Sequence, residues 1–178
     1  MKTRNVFLAG MALALLAACG GAGGGSNPGG DDDPPTHYRF VKSPASTAGK
    51  LVLDLYGPAG MKAKGVALYL TVDTPGVSWA NAGGPEGTYS NPGTALDLGS
   101  SPRLYKDLAA DGDLQVGIFQ KTGSATFDDQ HPIVSIALSG TSATEVALSE
   151  TRRKDSIMVA PDGSTSDITI DLGSFTID

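Results

Sequence analysis

The chain changes character at residue 37. Beyond it, apolar residues recur at every second position, which is the period of a strand with one face in a core and one toward solvent. Val66, Leu68, Leu70 and Val72 alternate with Ala67, Tyr69 and Thr71. The same alternation runs through Leu51, Leu53 and Leu55, then Leu114, Val116 and Ile118, then Val134, Ile136 and Leu138. It returns in Ile157 with Val159, and in Ile168, Ile170 and Leu172. Turn residues close the runs: Gly57-Pro58, Pro75-Gly76, Asp111-Gly112, Gly140-Thr141 and Asp162-Gly163. Asp111-Gly112, between apolar stretches at 104–109 and 114–120, predicts a tight hairpin, since both residues tolerate the positive φ such a turn needs. No stretch combines a helical period with capping residues. The pattern therefore predicts an all-β domain over residues 37–178, a β-sandwich of about nine or ten strands.

Residues 1–36 carry none of this alternation. Lys2 and Arg4 precede an uncharged apolar run at residues 6–16, 11 residues long, which suits the core of a signal peptide and is too short to span a bilayer. The run ends in Leu16-Ala17-Ala18-Cys19-Gly20, which resembles the lipobox of bacterial lipoproteins. Small residues there admit a peptidase to the bond before the cysteine, and the thiol receives the lipid. The resemblance implies that residues 1–18 are a signal peptide and that Cys19 is the lipidation site, carrying diacylglyceryl and an N-linked palmitate-type chain. Each buried methylene is worth about 0.8 kcal/mol, so two or more chains hold a protein stably on a membrane. Gly20 stands where an aspartate would retain an enteric lipoprotein at the inner membrane, so the expected address is the outer membrane. The alternative is an ordinary signal peptide whose cleavage site abuts a cysteine, leaving an exported free thiol.

Residues 20–36, GGAGGGSNPGGDDDPPT, hold no apolar side chain larger than alanine, and so read as a linker. A Gly-rich coil of 17 residues reaches roughly 23 Å. Asp31-Asp32-Asp33 keeps that linker solvated, because adjacent carboxylates repel one another and converge poorly on calcium.

Charge and chemistry narrow the function. Lys2 and Arg4 precede Cys19 while all 19 acidic residues follow it, so the net charge of −6 becomes −8 beyond the signal peptide, and nucleic acid is a poor partner. The single cysteine excludes an internal disulfide, and His37 and His131 are too few for a transition-metal centre. No cofactor and no metal are expected. A serine-hydrolase elbow is missing. His131 lies in Asp128-Asp129-Gln130-His131-Pro132, a surface-loop context rather than that of a general base. Acids are too numerous to single out a glycosidase pair. Asp111-Gly112-Asp113 opens like a calcium loop, yet Val116 and Thr122 occupy the positions that need Gly and Glu. Trp79, the sole tryptophan, reads as a core anchor rather than a sugar-stacking platform. Arg152-Arg153-Lys154, between Glu150 and Asp155, reads as a solvated loop. No catalytic residue is assigned, and the chain is not expected to be an enzyme.

The stretch Gly65-Val66-Ala67-Leu68-Tyr69-Leu70-Thr71-Val72-Asp73, followed by Val77-Ser78-Trp79, resembles the opening strands of cohesin domains. Leu114-Gln115-Val116-Gly117-Ile118-Phe119 and Ile133-Val134-Ser135-Ile136-Ala137-Leu138 are similar to the paired strands of that family. The resemblance spans residues 48–172. It implies a jelly-roll that binds a protein through one sheet face, with contacts expected along residues 65–73 and 114–120. The expected function is thus a membrane-anchored binding or scaffold lipoprotein with an envelope protein as partner. The alternative is a carbohydrate-binding module that holds a surface or wall polysaccharide.

Overall fold

The computed structural model describes residues 37–85, 88–100, 104–151 and 154–178. Cys19, the linker with Asp31, Asp32 and Asp33, and the pair Arg152 and Arg153 lie outside the described residues. In chain order the strands are β1 (Tyr38–Lys42), β2 (Lys50–Tyr56), β3 (Lys62–Ala63), β4 (Gly65–Val72), β5 (Ser78–Trp79), β6 (Ser90–Pro92), β7 (Leu104–Ala110) and β8 (Asp113–Phe119). They continue as β9 (Ala125–Thr126), β10 (Val134–Ser139), β11 (Glu145–Val146), β12 (Leu148–Glu150), β13 (Ile157–Val159), β14 (Thr165–Asp167), β15 (Ile170–Asp171) and β16 (Phe175–Thr176).

Two sheets are built from these strands. The first runs β15-β1-β2-β10, with β5 and β6 sharing the far edge of β10. The second runs β14-β13-β4-β8-β7, with β12 on the same edge of β4 as β13. Counting shared edges once gives ten strand positions, in line with the alternation. Pairing is antiparallel throughout both sheets except between β1 and β15, where Tyr38 lies opposite Ile170 and Arg39 opposite Asp171 in a parallel register. The small pairs β3 with β9 and β11 with β16 complete the described strands.

The alternating residues meet between the sheets. Leu51, Leu53 and Leu55 of β2 with Ile136 and Leu138 of β10 face Leu68 and Leu70 of β4 and Leu114 and Ile118 of β8, all fully buried. Burying each such side chain is worth about 1.5–3 kcal/mol. The hairpin forms where Asp111-Gly112 predicts it, with φ of 54° and 85°, and carries β7 against β8 from Ala110↔Asp113 to Leu104↔Phe119. Trp79 is 9% exposed, and its indole N–H donates to the Gly112 carbonyl at 2.8 Å. The Val72 amide reaches the same carbonyl at 3.2 Å. Trp79 therefore fastens β5 of the first sheet to the hairpin of the second, as a core anchor should.

One strand runs against the alternation. Ile157 and Val159 of β13 pair with Ala67 and Gly65, on the outer side of β4, whereas Met158 packs against the core.

Candidate functional site

The outer face of the second sheet carries both of the exposed large hydrophobics found among the described residues. Side chains at opposed register positions share a face, so four cross-strand rows can be read from the pairing. Leu104, Phe119, Gly65 and Val159 form the first row, and Lys106, Gly117, Ala67, Ile157 and Asp167 the second. Leu108, Gln115 and Tyr69 form the third; Ala110, Asp113, Thr71 and Ser149 form the fourth.

The second row is low because its centre is Gly117 and Ala67. On one side stands Phe119, whose ring lies against Gly65 and over Gly117: a Cβ placed on Gly117 would sit 3.2 Å from the ring edge. On the other side stand Tyr69 and Gln115, with Leu108 and Ile157 at the flanks. The result is a transverse trough of about 420 Å³ whose lining includes Ala67, Tyr69, Lys106, Leu108, Gln115, Gly117, Phe119 and Ile157. Leu104 and Leu108, on the edge strand β7, are 49% and 58% exposed and are the exposed large hydrophobics among the described residues. Exposed apolar surface gathered on one element marks an interaction site more often than scattered leucines do.

The charges around the trough are sorted. The Asp107 carboxylate accepts the backbone amides of Thr88, Tyr89 and Ser90 at 3.0, 2.8 and 2.7 Å and the Ser90 hydroxyl at 2.6 Å. Its charge is thereby satisfied by the neighbouring β6 segment. Asp113 accepts the Thr71 hydroxyl at 2.6 Å. The cations stay available: Lys154 places Nζ 4.7 Å from the centre of the Tyr69 ring. Neither Lys106 nor Lys154 pairs with a carboxylate among the described residues. The trough row therefore begins at a cation, Lys106, and ends at an exposed anion, Asp167.

The residues singled out in the sequence fall into place around this face or away from it. Residues 65–73 and 114–120 supply β4 and β8, the floor and middle of the trough. Trp79 is in the core. Asp111 and Asp113 belong to the hairpin, not to a calcium loop. His131 lies in the loop before β10, and its Nδ1 meets the Asp128 carboxylate at 2.8 Å while its backbone amide donates to the same group at 2.8 Å. The His131 side chain, with the amides of Gln130 and His131, holds Asp128 below the usual carboxylate range. Both side chains are about half exposed and the pair caps a turn.

No protein-family model matches the sequence, and no curated protein matches it either. Solved structures do match in shape. The sixth cohesin of scaffoldin B from Acetivibrio cellulolyticus, in complex with a Cel5 dockerin, aligns with a TM-score of 0.54 at 10% identity, over 80% of this chain and 98% of that one. The fold is that of cohesin domains. A non-cellulosomal cohesin from the archaeon Archaeoglobus fulgidus aligns with the cohesin-like domain at a TM-score of 0.51 and 12% identity, over 80% of this chain and 90% of that one. A type II cohesin from the Acetivibrio cellulolyticus cellulosome gives 0.50 at 14% identity, over 80% and 95%.

Proposed function

We propose that the protein is a non-catalytic binding or scaffold lipoprotein of a bacterial envelope, held at the outer membrane by lipid on Cys19, whose cohesin-like domain docks an envelope protein through the outer face of the second sheet. The observation that carries this reading is the trough between Phe119 and Tyr69, with the exposed Leu104 and Leu108 beside it. A standard interface needs about 800 Å² from each partner, and a sheet face of four to five strands supplies an area of that order. A dockerin occupies the cohesin of scaffoldin B in its solved complex, which supports a protein rather than a small molecule as the occupant. The burial of Trp79 removes the residue best suited to stack on a sugar, which favours protein over glycan.

One experiment in cells tests both halves. A photo-cross-linker at Gln115 in the full-length protein should trap an envelope protein, and Leu104→Asp with Leu108→Asp should cut that capture more than tenfold without altering the amount of lipoprotein. Cys19→Ala should abolish labelling by a clickable fatty acid. Retained label would end the anchoring claim, and unchanged capture in the double aspartate variant would end the claim on this face. Retention of the purified protein on a polysaccharide column, with no protein captured, would put the carbohydrate-binding reading in its place.

A further inference from the structure

We propose that two copies of this chain join edge to edge, β7 against β7 in antiparallel pairing, so that the second sheets of the two domains become one continuous sheet with Leu108 at its two-fold axis. This rests on the strand edge and not on the docking face, so the two readings fail separately.

The sheet edges at β5, β6, β14 and β15 are two or three residues long, whereas β7 runs for seven without a proline or a bulge. It pairs with β8 alone. The two-residue turn at Asp111-Gly112 makes Ala110 and Asp113 a hydrogen-bonded pair, so Leu104, Lys106, Leu108 and Ala110 direct their amides and carbonyls at β8. Asp107 and Ala109 direct theirs outward, and no other described backbone takes them up. A long edge with unmet backbone groups is a template for a further strand.

Register selects the occupant. Antiparallel pairing of two identical strands has its own two-fold axis, so a strand that complements itself calls for a second copy. With Lys106 on the axis, the two Lys106 ammoniums would stand opposite one another; with Asp107 on the axis, the two carboxylates would. Like charges directly opposite are destabilising. With Leu108 on the axis both conflicts vanish. Leu108 then lies against Leu108 of the second copy, which covers a side chain that is 58% exposed in the single chain. Asp107 falls opposite Ala109, and the two exchange their outward hydrogen bonds, twice by symmetry. Lys106 falls opposite Ala110, and that small residue lets it reach toward Asp113, the next position in the same cross-strand row of the second copy. Thr71 engages Oδ1 of that carboxylate, and Oδ2 remains for the ammonium. Lys106, which pairs with no carboxylate of its own chain among the described residues, thereby gains one. The Asp107 carboxylate keeps its donors at Thr88, Tyr89 and Ser90, on the inner side of the strand.

The test replaces Leu108 by cysteine in the full-length protein, oxidises the cells mildly and measures the peptide that joins residue 108 to residue 108 by mass spectrometry. Residues directly opposite in a non-hydrogen-bonded pair stand about 4.5 Å apart at Cα, within the span of a disulfide, so Leu108→Cys should cross-link. Leu104→Cys should give at least tenfold less of its own linked peptide, because its two copies lie about 27 Å apart in this register. Ala109→Pro removes only an outward amide, a change that an edge strand tolerates, and should cut linkage through Leu108→Cys at least fivefold at unchanged protein level. Lys106→Asp should weaken the linkage at least threefold, and adding Asp113→Lys should restore it. No linkage at position 108, equal linkage at 104 and 108, or linkage indifferent to either the proline or the charge changes would overturn the edge pairing. Capture of an envelope protein from Gln115 reads the docking face independently of all these outcomes.

Discussion

Tyr38 is buried in the core, edge-on to Phe127 with ring centres 6.1 Å apart, and its hydroxyl donates to the Met61 sulfur at 3.4 Å. Burial pushes its phenol up to about 12 from the ordinary 10.0. The folded state therefore holds this proton more tightly than the unfolded chain does. Its contribution is fully present below about pH 10 and is lost as pH rises from 10 toward 12, by about 2–3 kcal/mol in all. Urea melts at pH 9 and pH 11.5 should show this drop, and Tyr38→Phe should remove most of it. A smaller alkaline slope should remain from Tyr56, whose phenol is raised by burial and then by Asp54. At this scale the sequence was partly legible. Trp79 was readable as an anchor because it is the only tryptophan, in a short strand. Gly117 was a signal that could have been used: a glycine inside an alternating strand marks a close approach of something to the backbone. Phe119 is what approaches.

Asp107 governs a junction between elements, because it holds β6, an edge of the first sheet, to β7, an edge of the second. Removing its carboxylate leaves the three amides without their acceptor and the Ser90 hydroxyl, fully buried, with only the Tyr105 hydroxyl at 2.7 Å beside it. Asp107→Ala should cost about 3 kcal/mol, the scale for a hydrogen-bonded charge lost from a partly buried site. Hydrogen exchange at Thr88, Tyr89 and Ser90 should quicken first, ahead of β4 and β8. Sequence could not show this. An acid in an alternating strand looks solvated, and its partners lie 17 to 19 residues away across a turn-rich loop. The strands β2, β4, β8 and β10 were plain from their period because they are central and bury one full apolar side. β13 misled for the opposite reason: Ile157 and Val159 are apolar on the outside, Ile157 in the lining of the trough, and Met158 takes the core position. A departure from the core pattern there belongs to the candidate site.

For the molecule as a whole, the period change at residue 37 coincides with the first described strand, and the core is assembled from β1 to β16. A fragment of 142 residues beginning at His37 is long enough for one core. It should give a far-UV spectrum of β structure and one cooperative melt, and a helical spectrum would contradict the sandwich. What period and turn residues could not convey is how the first and last strands meet. Parallel pairing of β1 with β15 joins segments from the two extremes of the domain, and no local pattern encodes it. That pairing has a mechanical meaning. β1 lies between β2 and β15, so a pull on His37 along the strand loads the hydrogen bonds on both flanks together, in shear. Asp178 is differently placed: it follows β16, which pairs with β11 at Glu145↔Thr176 and Val146↔Phe175, and the bonds beyond that pair, from the Gly49 amide and the Lys42 ammonium to Asp178 and between Ile177 and residues 143–144, are met one after another by a pull from the chain end. Stretching the domain between His37 and Gln115 should therefore demand more force than stretching it between Asp178 and Gln115, as optical tweezers can measure, and equal forces would refute the idea. Of the two ends of the domain, the leading strand is thus the handle that the fold braces against tension.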